Sequence, residues 1–144
     1  MEDVKSGTIS KTEIIEVLSR SVIAILATAA YNRVTIRPMS IISKELFVYM
    51  QTGFDYLKVY QIKANPNVAL SIGEYQLEGR AQILGHPFDK GNEWFAENYK
   101  IKHPKSFERW SAKQTEIVIR AEINLARRFY YKDGQAFLAE GRFA

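Results

Sequence analysis

Cysteine is absent from the 144-residue chain. That excludes disulfides, thiol nucleophiles, iron–sulfur clusters and cysteine-ligated zinc. Histidine occurs only at His86 and His103, too few for a metal cluster. Long apolar runs are missing as well, since no stretch of membrane-spanning length is free of charge. The N-terminus carries Glu2, Asp3 and Lys5 where a signal peptide would be apolar. A soluble, cytoplasmic protein is expected, with no membrane partner. There is no linker, repeat or low-complexity segment, so residues 1–144 are expected to form a single domain around one core. No nucleophile–base pair or carboxylate pair can be assigned.

Charge is present in modest surplus: 20 Lys and Arg against 16 Asp and Glu give a net +4. Such a balance favours anionic ligands. The densest basic groups are Lys100, Lys102, His103 and Lys105, then Arg127, Arg128 and Lys132. Each reads equally well as a solvated face, and no nucleic-acid recognition motif accompanies them. Nucleic acid is therefore not the expected partner.

The pattern of the chain is mostly that of strands. Ser10 followed by Glu13 forms a capping box that opens a helix carrying Ile14, Ile15, Val17 and Leu18. Residues 22–29 and 34–42 read as a hairpin about the turn Tyr31-Asn32-Arg33, and residues 46–51 as a third strand. Asp55 is placed as the N-cap of a helix holding Val59, Tyr60 and Ile62, which Asn65-Pro66 ends. Residues 68–72 and 76–84 are the next strands, and Gly79 marks a bulge or a close approach in the second. A helix with Trp94, Phe95 and Tyr99 follows, then a basic loop with a short helical piece near Trp110. Residues 116–124 alternate as a strand, and 127–131 read as a further one before Asp133-Gly134. The expected fold is mainly β with flanking helices: an antiparallel, six- or seven-stranded split β-barrel.

Three short segments converge on one chemistry. Arg37-Pro38-Met39-Ser40 places a guanidinium near a strand end. Gln51-Thr52-Gly53, with Lys58 six positions after Thr52, is a strand, a turn and the opening of a helix. Asn65-Pro66-Asn67-Val68-Ala69-Leu70 stops that helix and starts another strand. Free N–H groups at a helix start attract anions. Arg37, Thr52 and Lys58 would add side-chain donors, and together these groups read as a phosphate seat. For Arg37 the alternative is a salt bridge to a carboxylate such as Glu78. Pro38 lacks a backbone donor, which places it on an edge strand or a bulge.

The order and spacing of these segments, together with Glu78-Gly79-Arg80-Ala81, resemble the pyridoxamine 5'-phosphate oxidase-like family of FMN-binding split barrels. The likeness covers about residues 22–86. It implies FMN bound between the subunits of a homodimer. Arg37 through Ile42 would line the flavin, Gln51 and Thr52 would meet the ring edge and the ribityl-phosphate, and Lys58 would neutralise phosphate charge. Trp110 is a candidate for stacking on the ring and Arg80 for its pyrimidine edge. His86 and His103 are expected in exposed loops, where either is a candidate acid.

The chain departs from the family pattern where Tyr56-Leu57-Lys58 replaces Ser-Arg-Lys, at Ile42, where a lysine is usual, and at the missing C-terminal Arg-Leu-x-Pro. Oxidation of pyridoxamine phosphate itself is therefore not expected. The expected function is an FMN-dependent oxidoreductase that moves hydride or electrons from a nicotinamide or similar donor to a small-molecule acceptor. The alternative is a flavin- or haem-binding module without turnover.

Overall fold

Nine strands and four helices make up residues 3–143, which a computed structural model describes. In chain order they are β1 (Val4–Thr8), α1 (Lys11–Arg20), β2 (Ile23–Ala30), β3 (Arg33–Ser40), β4 (Ile42–Lys44), β5 (Phe47–Gly53) and α2 (Leu57–Ala64). Then come β6 (Asn67–Ile72), β7 (Tyr75–Ile83), α3 (Glu93–Lys102), α4 (Pro104–Trp110), β8 (Glu116–Lys132) and β9 (Gln135–Arg142).

All strands belong to one sheet in the order β1-β9-β8-β7-β6-β2-β3, with β5 joined to β8 and β4 joined to β5. The 17-residue β8 is the spine: Glu116 through Glu122 pair with β5, and Leu125 through Lys132 pair with β9. This is a split β-barrel with flanking helices. It holds more strands than the sequence pattern indicated, and one pairing differs in direction. Strand β1 lies parallel to β9, from Val4 opposite Ala136 to Thr8 opposite Glu140. The predicted strand 34–42 is divided at Ile41, which is fully buried. Residues 116–131, expected as two strands, form one.

Local rules explain much of this. Ser10 caps α1, its hydroxyl accepting from the Glu13 amide at 3.1 Å. The Glu13 side chain does not complete the box but accepts from the Tyr75 hydroxyl at 2.6 Å. Tyr31 and Asn32 both take positive φ (51° and 66°), as a two-residue hairpin turn requires. Pro38 lies on β3, the last strand of the path, where its missing donor costs no ladder bond.

Gly79 stands at the register shift between β7 and β8. A Cβ there would lie 2.3 Å from the Glu122 carbonyl oxygen. Backbone cannot yield as a flexible side chain can, so Gly79→Ala is expected to destabilise the fold by about 2–3 kcal/mol. Chemical denaturation measures this, and an unchanged midpoint would mean the bulge relaxes freely.

The core fills the inside of the curved sheet with Leu26, Met50, Leu77, Ile119 and Ile123, closed by Ile14 and Leu18 of α1. A second cluster lies on the outer side, where Phe95 and Tyr99 of α3 pack against Ile42 and Val118. It holds α3 and the following α4 against β5 and β8, and so fixes one wall of the site described next.

Candidate functional site

The ends of β5 and β8 are paired, with Gly53 opposite Glu116, and the chain then turns through residues 54–56 into α2. Here a cavity of ≈ 260 Å³ opens between the sheet, α2 and α4. It is lined by Pro38, Met39 and Ser40 of β3, Gln51, Thr52 and Gly53 of β5, Tyr56 and Lys58 at the start of α2, Ser106 and Trp110 of α4, and Glu116 of β8.

Lys58 is the second residue of α2 yet only 8% exposed. Its Nζ donates to Thr52 Oγ1 at 2.8 Å and lies 4.6 Å from the centre of the Tyr56 ring. Burial lowers its pKa to about 8, helped by the neighbouring Arg37 charge and opposed by Glu116. A cation at a helix start is disfavoured by the macrodipole, so the protein holds this ammonium in a place that suits an anion better. The expected cap at Asp55 is not formed. The N-cap residue is Tyr56, and no side chain caps the first turn. A carboxylate therefore does not occupy the first N–H groups of α2.

Seven of the eleven residues assigned to the flavin from the sequence come together around this cavity: Pro38, Met39, Ser40, Gln51, Thr52, Lys58 and Trp110. Four do not line it: Ile41 and Ile42, which are buried, Arg37 and Arg80. Arg37 turns to the neighbouring face, where its guanidinium donates to the Leu26 carbonyl at 3.1 Å, to Thr28 Oγ1 at 2.8 Å and to Thr35 Oγ1. Both hydroxyls in turn donate to Gln61 Oε1, at 2.6 and 2.7 Å. Its partner is thus a set of neutral dipoles and not Glu78, which pairs with Arg127 at 3.0 Å. Arg80 lies in a separate groove with Phe47, Gln82, Arg120 and Glu122, and donates to Asn67 Oδ1 at 3.3 Å.

The histidines also differ from expectation. His103 is buried at the α3–α4 junction, where its Nε2–H donates to the Ile41 carbonyl at 2.8 Å. His86 is partly covered, with Nδ1 accepting from the Phe88 amide and Nε2–H donating to the Lys113 carbonyl. Neither lines the cavity.

Three lining residues escaped the sequence reading: Tyr56, Ser106 and Glu116. Glu116 begins an apolar strand, and a charged residue at a strand end ordinarily marks the surface. Its place follows from its pairing with Gly53 across β5 and β8, which no local pattern announces.

The family model for pyridoxamine 5'-phosphate oxidase matches residues 10–125. The chain belongs to this family. The match takes in α1, every cavity-lining residue and the first part of β8. No curated protein sequence matches the chain.

Solved structures repeat the family's fold. A FAD-binding protein from Mesorhizobium loti is 18% identical, with a TM-score of 0.66 over 82% of this chain and 92% of its own. General Stress Protein 26 from Bacillus anthracis, also 18% identical, gives 0.66 over 88% and 95%. The haem storage protein HutZ from Vibrio cholerae gives 0.66 at 12% identity, over 78% and 89%. At these identities the likeness is one of fold. Among the described residues no helix is long and apolar enough to cross a membrane.

Proposed function

We propose that this cavity seats the phosphate end of FMN between two copies of the chain, and that the protein is an FMN-dependent oxidoreductase acting on small molecules. The observation that carries this reading is the Lys58–Thr52 pair at a helix start without a side-chain cap. The residues fit the group. Lys58 has two N–H donors beyond the one given to Thr52, the first turn of α2 has amides free of any carboxylate, and Tyr56 and Trp110 supply aromatic walls. Bound FMN would supply the hydride and electron chemistry, taking a hydride from a nicotinamide-type donor and releasing two electrons to a small acceptor. The chain's own part is to grip the phosphate, orient the ring and exclude water.

Two further features support a homodimer. Sites for ligands of this class usually enclose roughly 300–1,000 Å³, and ≈ 260 Å³ falls short. The outer face of the β2–β3 hairpin is also apolar and open: Val34 and Ile36 are 71% and 68% exposed, beside Ile23 and Ile25. Residues directly opposite share a face, so Pro38, opposite Ile25, extends this patch to the rim of the cavity. Large exposed apolar faces mark interaction surfaces. A second copy on this face would cover the part of the ligand that one chain leaves open. Ile42, 3% exposed beneath α3, presents no polar group to a substrate, which agrees with an activity other than pyridoxamine phosphate oxidation.

The second reading is a binder without turnover. It is favoured by the lack of a paired acid and base around the cavity. Its haem version lacks a histidine ligand there, because His86 and His103 both face elsewhere with their nitrogens engaged.

The visible spectrum of the purified protein and calorimetric titration of the apo-protein decide between these readings. FMN is expected to bind more tightly than riboflavin, giving a flavin doublet, and equal affinities would remove the phosphate seat. Anaerobic bleaching of that band by a reduced nicotinamide is expected for the oxidoreductase. A flavin that binds but never bleaches would leave only the binding module.

A further inference from the structure

Glu116 and Ser111 stand next to the cavity in a polar chain whose direction is forced. Ser111 is fully buried and Glu116 is 7% exposed. The amide of Gln51 lies between them, with Nε2 3.2 Å from Glu116 Oε1 and Oε1 2.7 Å from Ser111 Oγ. An ionised carboxylate only accepts hydrogen bonds, so the amide nitrogen must face Glu116. The amide oxygen then faces Ser111, whose hydroxyl must donate. The Thr115 hydroxyl donates to the other carboxylate oxygen at 3.3 Å. Reversing the amide would set its oxygen against the carboxylate, a clash of two acceptors, so Glu116 sets the direction and the Ser111 hydroxyl, free to donate or accept, follows it by donating. An amide nitrogen has two hydrogens, and only one is used by Glu116. Gln51 lines the cavity, and its second N–H is left for whatever enters.

We propose that Ser111 and Glu116 are positioning residues that lock the Gln51 carboxamide with its free N–H in the cavity, so that the site selects a ligand with a hydrogen-bond acceptor at this point. A carbonyl oxygen or an unprotonated nitrogen of a heteroaromatic ring is the class of group that fits. This inference rests on the FMN reading only for the identity of the ring. The lock is a property of the chain.

Two kinds of measurement test it. In the apo-protein, the side-chain amide resonances of Gln51 are expected to move and broaden in Glu116→Gln, because a glutamine can donate or accept and both orientations become possible. Ser111→Ala is expected to broaden them without reversing the amide, because the oxygen loses its donor while Glu116 still holds the nitrogen, and Ser111→Thr to restore the wild-type signals. In the FMN-loaded protein, both lesions are expected to shift the flavin absorbance maxima and midpoint potential in the direction seen for Gln51→Leu. Each should also weaken FMN by roughly 2- to 12-fold, the worth of one neutral hydrogen bond. Gln51 resonances unchanged in both lesions would overturn the lock. Altered resonances with a wild-type spectrum and potential, while Gln51→Leu differs, would overturn its role toward the ligand. A wild-type protein that ignores FMN would sink the functional reading, and the apo resonances would still decide the lock.

Discussion

Replacement of Lys58 by methionine is expected to weaken FMN roughly ten- to hundredfold while leaving riboflavin affinity unchanged. The magnitude is that of a charge-assisted hydrogen bond, about 1.5–3 kcal/mol. The same residue sets a pH dependence. With its pKa near 8 in the folded chain and about 10.4 in an unfolded one, the charged form is disfavoured by folding. In the apo-protein that cost is present in full below pH 8 and is relieved as pH rises toward the unfolded value, so stability should rise through this window. Affinity for the phosphate runs the opposite way and should fall above pH 8, where the ammonium is lost. Lys58→Met should abolish the affinity slope and reduce the stability slope, leaving the part due to Lys102, whose burial also lowers its pKa. Calorimetry and denaturation at pH 7, 8.5 and 10 measure them. A variant that retains the FMN slope would transfer the phosphate grip to other groups.

Ile36→Asp is expected to have a larger effect without touching the cavity. Ile36 lies opposite Ala27 on the exposed apolar face of β2 and β3. A carboxylate buried there between two copies without a partner costs several kcal/mol. Light scattering should therefore return the 16.6 kDa chain mass for the variant and twice that for the wild type. FMN affinity should fall with it at micromolar protein, as the proposed completion of the site by a second copy requires. The folded monomer should survive, because a residue 68% exposed in the single chain adds little to its own core. Tight FMN binding by a monomeric variant would show that one chain is sufficient.

Features decided by neighbouring residues were legible in the sequence, and features decided across the fold were not. The Ser10 cap, the Tyr31-Asn32 turn, the edge position of Pro38 and the bulge at Gly79 follow from residue chemistry over a few positions. The pairing of β1 with β9 joins residues more than a hundred positions apart through backbone groups, and Val4–Thr8 has no alternation to announce it. Within the site, Thr52 and Lys58 could be brought together because six residues of strand, turn and helix leave little freedom. Glu116 reaches the same cavity only through the register of β5 with β8. Arg37 shows the limit of reasoning from charge. A guanidinium in an apolar strand needs acceptors, but two threonines, a glutamine and a carbonyl serve, and no count of carboxylates identifies them. His103 looked like a loop residue because it precedes Pro104. Its burial comes from α3 and α4 folding back on Ile41.

The surroundings of Arg37 have a consequence at a distance. Hydroxyls and a carbonyl can stabilise a guanidinium, but they cannot cancel its monopole, and no carboxylate pairs with it among the described residues. A guanidinium also stays protonated at any pH the fold would meet. The cavity thus lies among two positive charges, Lys58 and Arg37, and one negative, Glu116, and alkali removes only the first, taking the local surplus with it. Anion capture should therefore be fast and salt-sensitive below pH 8, and slower and less sensitive to salt above it, because Arg37 alone then only balances Glu116.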